Sequence, residues 1–344
     1  MHALQATPVH APAGPPTTTT TSPYDASAAT MSRVPIAALL RPDAVEKFVM
    51  HDRTYYKYMN DIYNFPADDT EFERLDVMHQ LIYSVALNNQ LHLAVFRTPP
   101  TRILDVGFGT GFWMIDMESK YPRAEIIGLD LDDSVVKGNS KCVFKSPVDF
   151  TAPQWPVEDS SMDLVHMAQL CGCVPDWLAH YSKVFRCLRP GTGQIEHVEI
   201  DWQPRTQHQQ PFSDAAMPMW NWWGWVCQAS ELAGKHMAYN PQTEETLERA
   251  GFVDISHKRV KIPLYCNGQK DPREWALAHG YQTAMGHVGS QSFPGFSMAL
   301  LTRYLRFTPQ QVYDLCDRVV QVARQKDVPL HVTLRVWTAR RPQS

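Results

Sequence analysis

The sequence lacks long apolar stretches. No run approaches the roughly 20 residues that a helix needs to cross a bilayer. The N-terminus also lacks the charged-then-apolar pattern of a secretory signal, and residues 1–32 contain no arginine, which argues against a mitochondrial presequence. We therefore expect a protein that neither spans a membrane nor is exported.

Paired cysteines and dense basic clusters are missing as well. The seven cysteines are odd in number and scattered through hydrophobic runs, a distribution typical of reduced intracellular thiols rather than of a disulfide framework. With 32 basic against 36 acidic residues the net charge is -4, which gives no general attraction for nucleic acid. We expect no direct nucleic-acid partner, and no local signal for nuclear import is visible.

The composition divides the chain into a tail and one domain. Residues 1–35 are rich in Ala, Pro, Thr and Ser and offer too little apolar surface to offset the entropy of ordering. We predict a disordered tail at 1–35 and a single folded domain at 36–344.

Within that domain, segments with the period of strands alternate with segments of helical period. The first predicted helix begins at an acidic N-cap near Asp68. Strands are predicted at 102–106, 124–130, 162–167, 194–200, 251–255 and 331–338, with helices at 112–120 and 177–188. This alternation predicts a parallel sheet whose ligand site lies at the carboxyl ends of the strands.

A helical insertion separates the last two predicted strands. Residues 263–329 have helical character around 275–285 and 309–325. So long a segment is more typical of a substrate-covering element than of a plain loop.

A glycine-rich loop joins the first predicted strand to its helix. Residues 105–111 read D-V-G-F-G-T-G, and the glycines let the backbone turn tightly and approach a ligand. Asp130 ends the next strand nineteen positions after Gly111 (130 - 111), close to the roughly 20 expected of a carboxylate that binds ribose hydroxyls. The loop therefore predicts a cofactor that contains a nucleoside.

The acid at the loop's entrance distinguishes between two cofactors. The dinucleotide fingerprint is G-x-G-x-x-G, whereas this loop is D-x-G-x-G-x-G. Asp105 would repel a pyrophosphate but suits the sulfonium and ammonium of S-adenosylmethionine, which we predict as the cofactor. In the alternative interpretation the glycines only make a tight turn.

Residues 103–111 resemble the first motif of the class I methyltransferases. Leu188–Gly193 is similar to their turn before the fifth strand, and Ala250–Phe252 to their lead into the sixth. The resemblance implies a Rossmann-like, mostly parallel seven-stranded sheet with an antiparallel last strand. It also implies that Asp149 and Phe150 contact adenine, although Asp149 could equally be a turn or cap residue.

The loop and the resemblance together define the predicted cofactor-binding residues. The resemblance further implies that the end of the fourth strand, near His166 and Gln169, borders the cofactor. The full set is Asp105, Gly107, Phe108, Gly109, Thr110, Gly111, Asp130, Leu131, Asp149, Phe150 and Gln169.

A longer resemblance, over about residues 50–342, is to the fungal LaeA-like methyltransferase-domain proteins. These regulate secondary metabolism and development alongside velvet-family proteins. The matching stretches are Phe65–Asp69, Leu75–His79, Trp113–Met117, Ile195–Asp201 and Val336–Pro342. The resemblance implies a regulatory methyltransferase, velvet-family partners and a nuclear as well as cytoplasmic location.

Two departures from the LaeA-like pattern bear on the acceptor. Ala67 stands where this family often has Cys, and the Ala168-Gln169-Leu170 segment differs from its usual basic-containing version. Both could mark a paralogue that acts on a different acceptor.

Polar residues on the predicted fifth strand are the candidates for catalysis. Methyl transfer needs mainly proximity, alignment and exclusion of water, with a base only for a hydroxyl or a protonated amine. A strand covered on both faces should be apolar, yet 194–200 contains Glu196, His197 and Glu199. We predict His197 as the first candidate base, His166 as the second and Glu196 beside them; alternatively, the polar residues pair to close the sheet.

Two further motifs have competing interpretations. The four tryptophans of Trp220–Trp225 either hold a cationic side chain or pack the helix after the fifth strand. Cys171-Gly172-Cys173 weakly resembles one half of a zinc-binding motif. No second pair lies at ligand spacing, so we predict no metal.

The sequence leaves three functions open. The first is a regulatory methyltransferase that acts on protein or works as a partner-bound scaffold. The second is a biosynthetic enzyme that methylates a small-molecule oxygen, nitrogen or carbon. The third is a binding module whose pocket is occupied without turnover.

Overall fold

The described part of the chain begins with a hairpin that no sequence pattern predicted. A computed structural model describes residues 46–57, 63–136, 140–206 and 211–344, so the tail predicted at 1–35 lies outside the described residues. Strands β1 (Lys47–Met50) and β2 (Arg53–Tyr56) pair antiparallel. The guanidinium of Arg53 donates two hydrogen bonds of 2.7 Å to Asp68, which joins the hairpin to the start of the first helix.

Helix α1 (Asp69–His79) begins at the predicted acidic N-cap. The Asp68 carboxylate accepts a hydrogen bond from the backbone N–H of Glu71 at 3.2 Å, which satisfies one of the donors left free at a helix N-terminus. The helix continues into a π-helical turn, Gln80–Ala86, a geometry that is frequent at functional sites. This turn places Tyr83 in the interior.

Strands and helices then alternate along the chain. The strands are β3 (Arg102–Val106), β4 (Glu125–Leu129), β5 (Val143–Lys145), β6 (Leu164–Ala168), β7 (Gln194–Thr206), β8 (Val253–Pro263) and β9 (Leu330–Arg340). The helices are α2 (Phe112–Lys120), α3 (Trp177–Cys187), α4 (Met217–Leu232), α5 (Thr243–Arg249), α6 (Pro272–Met285), α7 (Ser292–Tyr304) and α8 (Pro309–Ala323).

Seven of the strands form one sheet in the order β5-β4-β3-β6-β7-β9-β8. Neighbours from β5 to β7 are parallel, whereas β9 runs antiparallel to both β7 and β8. This is the mostly parallel, Rossmann-like sheet with an antiparallel last strand that the sequence predicted, and the prediction is confirmed.

Helices cover both faces of the sheet. Ile103 belongs to the core on one face, with α1, α2, α4 and α6 to α8, and Leu104 belongs to the core on the other face, with α3 and α5. Successive side chains of a strand point to opposite faces, so a strand covered on both sides is apolar throughout. That explains why Ile103, Leu104 and Val106 are apolar, and Asp105 is the exception in this stretch.

Three helices occupy the insertion at 263–329. The predicted helical stretches are confirmed as α6 and α8, and α7 lies between them. Phe293, Phe296 and Leu300 of α7 are buried in the same core as Trp222 of α4, so this segment is part of the packed domain. Its role as a substrate cover stays a prediction.

No helix among the described residues is both long and apolar enough to cross a membrane.

Candidate functional site

A cavity opens at the carboxyl ends of β3, β4 and β6, where a parallel sheet presents its ligand site. All the predicted cofactor-binding residues line it except Gly111. Further lining residues are Tyr63, Leu75, His79, Tyr83, Phe112, Trp113, Thr151, His166, Ala168, Leu170, Cys173 and Lys235. Gly111 is buried behind the loop and caps α2 with a φ of 78°.

Gly109 shows why the loop needs glycine. Its φ is +54°, and the only atom within 4 Å of a Cβ built there is Leu75 Cδ1 at 3.9 Å. Because Gly109 lines the cavity, a larger side chain at this position would extend into the space where a ligand binds. The loop therefore forms a cradle that a side chain would fill.

Asp130 fastens this loop to the neighbouring strand. Its carboxylate accepts a hydrogen bond from the Gly109 N–H at 2.7 Å and another from the Leu131 N–H at 2.6 Å. Burial raises the pKa of Asp130 to about 6, the two backbone hydrogen bonds oppose that rise, and the negative charges of Asp105 and Asp132 add to it.

Asp105 begins a buried hydrogen-bond chain that ends at the cavity wall. The Nδ1–H of His166 donates to Asp105 Oδ1 at 2.7 Å, and the hydroxyl of Tyr83 donates to His166 Nε2 at 2.8 Å. The indole of Trp113 stacks on the His166 ring, with centroids 3.7 Å apart. Since Asp105 accepts and does not donate when ionised, the chain fixes the tautomer of His166.

The cavity fits a cationic nucleoside ligand. Asp105, Asp130 and Asp149 supply negative charge, while Phe108, Phe150 and other aromatic residues supply flat apolar walls. Asp149 lines the cavity, and its Oδ1 also accepts from the N–H of Thr151 at 2.8 Å in a local turn. Its contact with adenine stays a prediction.

Known proteins match the chain over most of its length. A family model described as a methyltransferase domain matches residues 78–257. Secondary metabolism regulator LAE1 of Cochliobolus heterostrophus is 33% identical over 309 residues, which cover 88% of this chain and 97% of that protein. Secondary metabolism regulator laeA of Monascus pilosus is 34% identical over 296 residues, or 85% of this chain and 77% of that protein.

A third relative carries a more specific name. Protein-methionine methyltransferase laeA of Emericella nidulans is 32% identical over 294 residues, which cover 84% of this chain and 75% of that protein. This chain belongs to the LaeA-like methyltransferase family.

As a LaeA-like methyltransferase, the chain uses S-adenosylmethionine, which supplies a methyl group on a sulfonium. The residues present fit this cofactor. Asp130 would accept the ribose hydroxyls, the glycine loop leaves room for the ligand beside β3, and Asp105 gives the cavity the negative charge that a sulfonium and an ammonium require.

The raised pKa of Asp130 predicts that cofactor binding depends on pH. Ribose hydroxyls donate to the ionised carboxylate, so binding favours the charged form and lowers this pKa. We expect the affinity for S-adenosylhomocysteine to fall as pH drops below about 6, by up to about tenfold per unit. Calorimetry between pH 5 and 8 measures this. Asp130→Asn should bind more weakly with no such slope, and a wild-type affinity that stays constant over this range would contradict the role of Asp130.

The structure corrects two of the predicted catalytic residues. His197 is 2% exposed, accepts from the Tyr181 hydroxyl at 2.8 Å, and donates to Glu199 Oε1 at 3.1 Å. Glu196 is fully buried and accepts from the N–H groups of Leu93 and Ala94. Neither residue lines the cavity. Both side chains instead form hydrogen bonds that connect β7 to other segments of the LaeA-like domain, Glu196 to residues 93 and 94 and His197 to Tyr181 on α3.

His166, the second candidate base, does line the cavity, but both of its ring nitrogens are occupied. Nδ1 is held by Asp105 and Nε2 by Tyr83, with Trp113 across the ring face. His166 therefore connects Asp105 to Tyr83 by hydrogen bonds. It has no free nitrogen with which to take a proton from a methyl acceptor.

A histidine that the sequence did not single out, His79, has a ring nitrogen without a hydrogen-bond partner among the described residues. His79 lines the cavity, and its Nε2–H donates to Asp116 Oδ2 at 2.8 Å, which leaves Nδ1 as the unprotonated nitrogen. No sequence pattern marked His79 on α1 as a candidate base, and nothing local linked it to Asp116 on α2. Both residues lie in stretches that resemble the LaeA-like family, which was the only available signal.

The four tryptophans of Trp220–Trp225 lie in different environments, since Trp220 is 40% exposed and Trp225 is half-buried. Trp222 and Trp223 are buried in the core, and Trp222 Nε1 donates to Ser297 Oγ at 2.8 Å. Cys171 and Cys173 are buried, and in the parts of the chain that the structure describes no group of three His, Cys, Asp or Glu side chains could hold a metal ion.

Proposed function

We propose that this LaeA-like protein regulates secondary metabolism by methylating a protein side chain, and that the acceptor atom is the thioether sulfur of methionine. The names of the relatives support the regulatory role, and the relative from Emericella nidulans is named as a protein-methionine methyltransferase. The observation that carries the choice of acceptor is the closed Asp105–His166–Tyr83 chain.

A thioether suits a cavity whose central histidine cannot act as a base. Its sulfur attacks through a lone pair and has no proton to lose, so general base catalysis is not needed. The residues that line the cavity then align the reacting groups and exclude water. Methionine also packs favourably on aromatic rings, and the cavity is lined by Tyr83 and Trp113, which contact His166, and by Phe112, which contacts His79.

A matched pair of peptides tests this proposal. Purified protein and labelled S-adenosylmethionine are incubated with methionine-containing peptides and with the same peptides carrying norleucine, which has the same length but no sulfur. We expect label only on the methionine peptides, and a turnover rate at saturating cofactor that is independent of pH because a thioether does not titrate. Equal labelling of the norleucine peptides would contradict a thioether acceptor.

One observation favours a second function, the methylation of an oxygen or nitrogen on a small molecule. His79 lines the cavity, and its hydrogen bond to Asp116 holds the ring in the tautomer that a general base requires. If this function is correct, His79→Asn should reduce turnover by about 100-fold or more, the usual contribution of general base catalysis. Thioether transfer by the same variant should change by less than a few-fold.

We further propose that the protein associates with velvet-family proteins and is found in both nucleus and cytoplasm. Resemblance to the LaeA-like family supports both. Co-purification with velvet-type proteins tests the association. The same experiment with Gly109→Val distinguishes a scaffold from an enzyme, because a scaffold would keep its partners and its regulatory effect after losing the cofactor.

A further inference from the structure

Lys235 is a buried cation at the wall of the cofactor cavity. It follows Gly234 in the connection between α4 and α5, is only 5% exposed, and is one of the residues that line the cavity. Within the described ranges, 46–57, 63–136, 140–206 and 211–344, its ammonium forms no ion pair and no hydrogen bond. The titratable groups that act on it over a longer distance are Cys173 and Asp149.

Other buried or half-buried cations of this domain do have partners. Arg53 pairs with Asp68, and Arg74 forms two hydrogen bonds with Glu71. Lys183, near the same end of the sheet, donates to the carbonyl oxygens of Phe150, Thr151 and Ala152. Lys235 differs from them in that no residue of the described ranges pairs with it, and it lines the cavity.

Burial of an ammonium without a partner is strongly unfavourable in free energy. The pKa of Lys235 is lowered because burial disfavours the charged form. Buried titratable groups with a shifted pKa cluster at functional sites, where they bind a ligand or take part in catalysis. Two of the three acids of the cavity, Asp105 and Asp130, lie at the ends of β3 and β4, whereas Lys235 comes from the α4–α5 connection. The cavity thus presents negative charge from the sheet and positive charge from this connection.

We propose that Lys235 binds a carboxylate of the ligand that occupies this cavity. This inference rests on the assignment of the cavity to S-adenosylmethionine and its acceptor. A carboxylate fits because it pairs with an ammonium through charge-assisted hydrogen bonds, and because an amino-acid group carries the opposite charges that the two sides of the cavity present. The carboxylate belongs either to the amino-acid part of the donor or to the acceptor.

Two related ligands separate these sources. S-adenosylhomocysteine carries the amino-acid carboxylate, and 5′-methylthioadenosine has the same nucleoside and thioether without it. Calorimetry is carried out with the wild type, with Lys235→Met, and with Lys326→Met as a control at an exposed lysine outside the cavity. Benzoate is then titrated into each protein saturated with S-adenosylhomocysteine, as a probe for a carboxylate site on the acceptor side.

If the donor supplies the carboxylate, Lys235→Met should weaken S-adenosylhomocysteine binding by about 10- to 100-fold, the loss expected for a charge-assisted hydrogen bond, and leave methylthioadenosine binding unchanged. If the acceptor supplies it, both nucleosides should bind as in the wild type, and benzoate binding should be lost. In either case the ligand-free variant should melt at or above the wild-type temperature, because an unpaired buried charge has been removed.

Three results would overturn the proposal. Equal losses for both nucleosides would mean that Lys235 acts on the nucleoside, and no loss for any of the three probes would mean that it binds no carboxylate. A lower melting temperature of the ligand-free variant would assign Lys235 a structural role. A wild type that binds neither nucleoside would refute the assignment of the cofactor site itself. This outcome can be told apart from a failure of the Lys235 proposal because it is measured on the wild type alone.

Discussion

Gly109→Val should abolish S-adenosylmethionine binding, with a loss of affinity of at least about 100-fold. Two causes act together. The φ of +54° is one that a β-branched residue adopts only with strain, and the new side chain would extend into the cavity, where only Leu75 Cδ1 lies within 4 Å of a Cβ. Calorimetry with S-adenosylmethionine and S-adenosylhomocysteine measures the loss.

Gly224→Val provides the control for this variant. Gly224 lies on the exposed side of α4, and no atom lies within 4 Å of a Cβ built there. Valine at this helical position should bind the cofactor normally and leave the melting temperature equal or slightly higher, because glycine is the poorer helix former. If Gly109→Val folds and binds as tightly as Gly224→Val, the cofactor loop has been assigned wrongly.

Glu71→Leu should lower the free energy of unfolding by about 3–5 kcal/mol, the usual effect of breaking a buried ion pair. Glu71 is 2% exposed and Arg74 is 6% exposed, and the two are joined by hydrogen bonds of 2.7 and 2.9 Å. Leucine has a similar volume, so the main change is that the Arg74 guanidinium stays buried without its carboxylate. Urea unfolding measures the difference.

A double variant separates charge from packing at this pair. Glu71→Leu with Arg74→Leu removes both charges and should recover most of the lost stability, since replacing a buried pair by apolar residues is often nearly neutral. Glu158→Leu, which breaks an exposed contact of 3.1 Å with Arg102, should change the free energy by about 1 kcal/mol or less. A double variant no more stable than Glu71→Leu alone would show that packing, rather than the unpaired charge, causes the loss.

The cofactor side of the site could be predicted from sequence because it is encoded locally. The strand at Ile103–Val106, the loop at 107–111 and the acid at Asp130 lie within one βαβ unit, where periodicity and glycine spacing specify both the elements and the edge of the sheet where they meet. Asp105 also stood out as a charge at the end of an apolar strand.

The catalytic side could not be predicted, because it depends on contacts between distant segments. Polar residues on β7 were interpreted as candidate bases, yet Glu196 satisfies backbone groups 102 and 103 residues away, and His197 meets Tyr181 across a face of the sheet. In the same way, the His79–Asp116 pair depends on how α1 packs near α2.

Helix α7 was not predicted either. It has apolar residues on all sides, so its sequence lacks the amphipathic period that marks a surface helix.

The position of β9 has a consequence for synthesis on the ribosome. This strand follows β8 in sequence, yet it lies between β7 and β8 and pairs with both. While the nascent chain is still growing, β7 has an open edge and β8 has no neighbour, and both must wait until the intervening helices and residues 330–340 have been translated. An unpaired strand edge readily joins other chains, so this protein should depend on chaperones late in its synthesis more than a fold whose sheet is completed in chain order.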